Sequence, residues 1–473
     1  MKQAIFFSVF KFVDSRVFWI LSALALRLVS VAKRSPRWLV LSGYAKERLG
    51  DLAAARTLYE RALTRIAVSN DTASLRWTQA TQFFLERCKH CLGESCAADP
   101  LFFCQAVPVQ GETEPAGKPA GFFKVDFVFS GLRIMGNLPR GTEESVSIML
   151  DGVKIRDINV TEGILSSAFT FKVTRSALRL FPATATLTIR AAGGRPLRLF
   201  SGESAFSLFV PHGVAGSSPF IDGTRRLDKK GVPVPTLEEL AADRREFFAI
   251  YADARRFFLE RFGKHLFLAY GTLLGFHRAG DFIPGDDDFD TGFMAEATDP
   301  ETVKLEVTEM VEALTVEGFS VSFNRRGRLF RLHARGAGIA GCHIDVHSFW
   351  AQNDRIWAHN DFCACGTREQ FVPATERDFK GFTAFVPADP EAYLSAHYGP
   401  GWRVPDPGFI NTYEDKDPGV LAGLAKALIA PVEYKAAYAR LEALRKANPA
   451  IGEFVSLADR SLYPLPDKDD DLE

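Results

Sequence analysis

Long apolar runs are scarce in this chain. The cleanest, Val17–Leu26, is about half of what a membrane-spanning helix needs. The surrounding stretch, Met1 to Val31, is interrupted by Lys11, Asp14, Arg16 and Arg27, so no transmembrane helix is expected. With Lys33, Arg34 and Arg37 following, the segment reads as a buried N-terminal helix or as one lying on a membrane surface. No small-residue cleavage site follows it, and a signal peptide is not expected. Excess charge of one sign is missing too: 57 basic against 58 acidic side chains leave a net charge of −1, which excludes nucleic acid as an expected partner. Tyrosine is sparse, 10 residues beside 41 phenylalanines, a ratio that favours buried rings over sugar-stacking platforms. Cysteine is an odd 7, which argues against a complete disulfide framework and for a reducing compartment. Nowhere does the chain read G-x-S-x-G, G-x-x-x-x-G-K-[ST] or H-E-x-x-H, so serine-hydrolase, P-loop and zincin chemistry are excluded.

The 473 residues, 47% hydrophobic and 24% charged, exceed one ordinary core, and a multidomain α+β protein is expected. Residues 1–105 read as helical. Within them Gly43, Gly50-Asp51, Ala55, Tyr59 and Ala62-Leu63 resemble one tetratricopeptide hairpin, which cannot bury its own face and so needs neighbouring helices, the rest of the chain, a protein partner or a membrane surface. Cys88, Cys91, Cys96 and Cys104, with His90 between them, open like a zinc knuckle but lack its second C-x-x-C pair, and they read as helix-end cysteines. From 120 to 212 the periodicity becomes two, with Phe123, Val125, Phe127 and Phe129 alternating and turns at Asp151-Gly152 and Gly193-Gly194. A central β-sandwich of about seven strands is expected there, as an acceptor-binding module or a spacer. Residues 213–235 form a linker. Thr236 and Glu239 then predict a capping box that opens a long helix ending at Gly263. Residues 236–465 form the third region, with a further helical stretch from about Val420 to Ala447, and 466–473 an acidic tail.

The chemistry lies between Leu266 and Met294, which reads LFLAYGTLLGFHRAGDFIPGDDDFDTGFM. Leu266-Phe267-Leu268 predicts a short buried strand, and Gly271-Thr272 a turn whose backbone N–H groups point at an anion. Asp288 and Asp290 share one face of an extended backbone, their Cα atoms roughly 6.6 Å apart. At an effective dielectric of about 20 such a pair repels by roughly 2 kcal/mol, which a divalent cation reverses. Large apolar flanks, Phe282 and Ile283 before and Phe289, Phe293 and Met294 after, set the carboxylates at the rim of a core rather than on open surface. Asp345, alone in the strand-like Cys342-His343-Ile344-Asp345-Val346, is a third acid for a metal-dependent phosphoryl site. Arg325, Arg326, Arg328, Arg331 and Arg335 read either as a diphosphate grip or as an exposed basic strand edge with Leu329 and Leu332 inward.

The order Gly-Thr turn, D-x-D, then an acid within a later apolar strand resembles the nucleotidyltransferase-fold superfamily. GTLLGFHRAGDFIPGDDDFDTGF, continued by HIDVHSF and DPEAYLSAHYGPGW, resembles the LicD/fukutin family of phospho-group transferases over about residues 236–412. That resemblance implies a C-terminal nucleotidyltransferase-like α/β domain with a mixed sheet. It also implies Asp288, Asp290 and Asp345 as metal ligands holding Mg²⁺ or Mn²⁺, with Asp345 alternatively the base, and Gly271, Thr272 and Arg278 as substrate-binding residues. Gly285 stands where the family has Trp, and Phe276-His277 replaces a small apolar pair, so the pocket shape departs from the pattern. The implied reaction moves phosphocholine, ribitol phosphate or glycerol phosphate from a CDP-activated donor to a glycan acceptor, releasing CMP, in the cytoplasm or at the inner membrane surface. Two alternatives stand beside it: transfer of the nucleotide itself from a triphosphate, and a docking protein with a degenerate catalytic domain.

Overall fold

Helix α1 (Pro36–Arg48) and helix α2 (Leu52–Ala67) form a hairpin because Gly50 takes the left-handed conformation, φ +80°, that turns the chain between them. A Cβ at Gly43 would lie 2.5 Å from the Tyr59 ring, so only glycine lets the two helices meet there. The Tyr59 hydroxyl donates to Glu47 (2.9 Å), and Arg87 of helix α3 (Thr78–Cys91) donates to the same carboxylate from Nε at 2.7 Å. Leu39, Val40, Ala55, Tyr59, Ala62, Leu63, Leu85 and Cys88 form the core of these helices.

This computed structural model describes residues 36–67, 77–109, 119–164, 166–323, 330–339, 341–359, 362–405, 417–429 and 431–456. The N-terminal segment up to Arg34, Arg325, Arg326, Arg328, Leu329 and the acidic tail lie outside the described residues. Among the described residues no helix is long and apolar enough to cross a membrane. The chain divides into two compact units, the boundary falling between Val234 and Pro235.

Besides the three helices, the first unit contains two sheets. One runs in the order β1 (Gln105–Pro108), β9 (Ala205–Phe209), β8 (Thr184–Ala191), β4 (Ser145–Leu150), β5 (Val153–Asn159); the other runs β2 (Phe122–Val128), β3 (Gly131–Leu138), β7 (Ser167–Thr174), β6 (Thr161–Glu162). Every pairing is antiparallel. Alternate residues from both sheets, among them Leu132, Ile134, Phe169, Val173, Ile148, Leu187 and Ile189, share one core. Asp151 (φ +47°) and Gly152 (φ +81°) make the expected β4–β5 turn. Strand β1 lies before the expected start at 120. Its four residues, Gln-Ala-Val-Pro, carry no apolar alternation in the sequence, although exposure alternates along the strand, and the pairing with β9 reveals it.

In the second unit the expected capping box forms: Thr236 Oγ1 accepts from Glu239 N (3.2 Å) and the Glu239 carboxylate accepts from Thr236 N (2.8 Å). Helix α4 (Leu237–Phe262) follows and stops at Gly263, φ +63°. It buries Phe247, Phe248, Tyr251 and Phe258 on the core of a mixed sheet. In that sheet the order is β17 (Thr375–Phe379), β18 (Phe382–Val386), β10 (Phe267–Leu268), β11 (Asp290–Met294), β14 (His343–Gln352), β13 (Phe330–Arg335), β12 (Phe319–Phe323), β19 (Phe454–Ser456). Strands β15 (Arg355–Ala358) and β16 (Phe362–Cys365) extend from β14. Three pairs are parallel, β10 with β18, β11 with β14 and β12 with β19.

One expectation is corrected and one refined here. Over Phe330–Arg335, the described part of the basic stretch, there is no exposed strand edge: β13 is hydrogen-bonded to β12 on one side and β14 on the other. Arg331 is buried within it, and Arg335 pairs with Asp253 and Glu317 at 2.7 and 2.6 Å. The stretch from Val420 to Ala447 is helical as expected and falls into two helices, Pro418–Lys426 and Pro431–Ala447, the second opened by Pro431.

Candidate active site

Strand β11 is central. It pairs antiparallel with β10 and parallel with β14 in a register that sets Asp290 beside Asp345, and Gly292 beside His347. Gly292 is required there, since a Cβ would come within 2.5 Å of the Phe349 ring and 2.9 Å of the Phe267 ring. Between β10 and β11 the chain makes helix α5 (Tyr270–Ala279). Gly271 and Thr272 therefore sit in the first turn of a helix rather than in a turn preceding one. Tyr270 enters that helix at φ +39°, a strained conformation for a bulky residue. Its N–H donates to the Tyr393 hydroxyl (3.3 Å) and its own hydroxyl donates to His359 O.

The first turn of α5 is tied to Asp290. Gly271 N donates to Asp290 Oδ2 at 3.1 Å, and Asp290 N donates to Thr272 Oγ1 at 2.8 Å. A carboxylate at a helix N-terminus is favoured by the helix dipole. A Cβ at Gly271 would lie 3.2 Å from Asp286 Oδ2 and 3.5 Å from Asp290 Oδ2. Carboxylates from the loop and from β11 thus converge over the backbone of one glycine. Gly275, one turn on, lets the loop approach: a Cβ there would lie 2.6 Å from Asp281 O and 2.7 Å from Ile283 N.

The sequence-predicted acids fall into two groups. Asp290 and Asp345 come together with His347, their ligand atoms all within 4.8 Å of one another; Asp288 groups instead with Asp286 and Asp287 on the same criterion. His347 Nε2 lies 3.2 Å from Asp290 Oδ1, and its side chain is 1% exposed against 13% for Asp290. Burial pushes the His347 imidazole down to about 4, with Asp345 pulling weakly the other way, so the ring is neutral at pH 7. Arg331 Nε and His343 Nε2 lie 3.7 and 3.8 Å from Asp345 Oδ1, so a buried guanidinium offsets part of the Asp345 charge. Two carboxylates and a neutral imidazole are a suitable donor set for a divalent cation, and the residues present fit one.

Arg278 points elsewhere. Its guanidinium donates to Trp402 O (2.7 Å from Nε) and to Val404 O (3.2 Å), clamping the segment after helix α6 (Pro390–Tyr398) onto α5. Trp402 Nε1 in turn donates to Ser395 Oγ at 3.0 Å. The last residue of helix α6 is Tyr398, which is not among the sequence-predicted site residues. Burial, and then the negative charges of Asp290, Asp286 and Asp288, push its phenol well above the ordinary range, with Arg278 opposing. His347 was also missed, although strand alternation carries its signal: in HIDVHSF, residues 345 and 347 lie on one face of β14.

The cysteines near the end of α3 build no metal centre among the described residues. Cys88 and Cys104 are buried, with thiols pushed up to about 12 by that burial; Cys91 is exposed, and none of the four belongs to a three-ligand group.

Residues 263–389 match the family model described as LicD/FKTN/FKRP, nucleotidyltransferase domain. The stretch spans β10, α5, β11 and β14, and with them Asp288, Asp290, Asp345 and His347. No curated protein matches the chain.

Proposed function

We propose, from the LicD-type domain over residues 263–389, that this chain transfers a phospho-alcohol from a CDP-activated donor to a glycan hydroxyl and releases CMP. A domain of this family points to phospho-alcohol transfer in glycan modification. The observation that carries it is the side-by-side register of Asp290 and Asp345 inside the matched stretch.

In this reading the acceptor oxygen bonds to the phosphorus nearer the alcohol, the bond from that phosphorus to the bridging oxygen breaks, and CMP departs with the bridging oxygen. Asp290 and Asp345 would hold a cation, Mg²⁺ or Mn²⁺, which when bound neutralises the diphosphate and the leaving group. Asp288, in the loop that also carries Asp286 and Asp287, is assigned the acceptor proton. Thr272 and the Gly271 N–H fix Asp290 so that it need not reorganise as charge develops. Tyr398 keeps its proton and supplies a donor toward a phosphate oxygen. Arg278 holds the Trp402 segment against α5 instead of gripping phosphate.

Phosphorus NMR of the products tests the reading. CMP together with an alcohol phosphodiester on the acceptor is expected from a CDP-alcohol. Pyrophosphate from CTP or ATP, with a nucleotide left on the acceptor, would show nucleotidyl transfer instead.

A further inference from the structure

We infer that His347 is the nitrogen ligand of the cation held by Asp290 and Asp345, and that it gives this site a preference for Mn²⁺ over Mg²⁺. Three observations carry the inference. The ligand atoms of Asp290, Asp345 and His347 lie within 4.8 Å of one another, a spacing that one ion can bridge. His347 is 1% exposed and its Nε2 faces Asp290 Oδ1 at 3.2 Å. Its second nitrogen, Nδ1, is buried without a hydrogen-bond partner among the described residues, so no acceptor on that side fixes the tautomer and Nε2 can meet an ion as the unprotonated donor. No other side chain orients the ring by hydrogen bonding among the described residues; Tyr270 packs on it, ring centres 4.6 Å apart.

The metal preference follows from donor chemistry. Mg²⁺ requires oxygen ligands in near-ideal octahedral geometry and keeps several waters. Mn²⁺ accepts carboxylate and imidazole together, and a nitrogen donor raises the affinity of the later divalent ions relative to Mg²⁺. His347 lies on β14, two residues beyond Asp345, so both project from one face of the strand. Asp290 meets them from β11 at the same level of the sheet. The three donors thus come from two hydrogen-bonded strands, a frame more rigid than the loop carrying Asp286, Asp287 and Asp288. The transfer reading proposed above supplies the role of the ion; the ligand set stands on the geometry.

The test uses the full-length chain loaded with Mn²⁺ alone. Electron spin echo modulation of the bound ion is expected to show coupling to an imidazole nitrogen in the parent protein and in His343→Gln, the neighbouring histidine, and to lose it in His347→Gln. Mg²⁺ competition is expected to displace Mn²⁺ from His347→Gln at concentrations at least about tenfold lower than from the parent. Bound Mn²⁺ without nitrogen coupling in the parent overturns the inference whether or not the variant folds, as does coupling lost only in His343→Gln. CMP release separates this outcome from the reaction: nitrogen coupling without CMP release sinks the transfer reading alone, and CMP release without nitrogen coupling sinks only the His347 ligand.

Discussion

Asp290 and Asp345 stand at the same register of neighbouring parallel strands, β11 and β14. Their ligand atoms lie within 4.8 Å, where two full charges at an effective dielectric of about 20 repel by about 3 kcal/mol. The fold holds them there with the Asp345 N–H on Phe289 O (3.0 Å), the Thr291 hydroxyl on Asp345 O (2.8 Å) and the Asp290 N–H on Thr272. Such an arrangement is stabilised by whatever positive charge enters between them.

Mn²⁺ at a hundred times its dissociation constant is therefore expected to stabilise the fold by about 2.7 kcal/mol. For a unit of this size that raises the melting temperature by about 5 to 10 °C. Asp290→Asn and Asp345→Asn abolish the rise. Differential scanning calorimetry with and without EDTA measures it, and an unchanged rise in both variants would contradict the assigned ligands.

Gly271→Ala places a methyl group against Asp286 Oδ2 and Asp290 Oδ2. Alanine suits a helix better than glycine, so the metal-free protein keeps its melting temperature. Mn²⁺ affinity, read by titration calorimetry, is expected to fall about tenfold or more as the carboxylates are pushed apart.

Gly275→Ala acts on the fold. The added Cβ meets the backbone of Asp281 and Ile283, which cannot swing away as a side chain can. Urea denaturation is expected to show a loss of about 1 to 3 kcal/mol. Restoring glycine and substituting exposed Ala279, four residues later in the same helix, with glycine should cost less.

Acid sensitivity follows from two buried histidines. Burial lowers His333 and His347 from 6.5 to about 4. Above pH 6.5 both are neutral in folded and unfolded chains and contribute nothing to the pH dependence. As pH falls below 6.5 the unfolded chain takes up protons that the folded one refuses, so stability declines until about pH 4. At pH 5 the loss is on the order of 2 kcal/mol for each residue. Denaturation of EDTA-treated protein at pH 7 and pH 5 measures it, and His333→Gln should remove part of the slope.

Much of this arrangement was legible in the chain. Leu266-Phe267-Leu268 is apolar and short enough only for a buried strand, the capping box at Thr236 and Glu239 announces helix α4, and the large apolar flanks around Asp286–Asp290 set that run at a core edge. Gly271-Thr272 reads as a turn in the sequence because glycine and threonine are poor helix formers, yet the two residues open helix α5. The tie of both residues to Asp290, a partner 18 or 19 residues away, outweighs that propensity. Strand β19 pairs with β12 across more than a hundred residues, and nothing in Phe454–Ser456 specifies that partner locally. Tyr398 was hidden for the same reason: its helix reads as ordinary, and only the fold turns its phenol toward carboxylates a hundred residues earlier.

Release of CMP from CDP-choline, CDP-ribitol and CDP-glycerol, followed with Mn²⁺ or Mg²⁺ and repeated with EDTA and with Asp290→Asn, tests the central claim most directly. Release from one donor, abolished by EDTA and lowered at least about a hundredfold in Asp290→Asn, is the expected result. No release from any of the three with a glycan acceptor pool present, or release undiminished in Asp290→Asn, would contradict it.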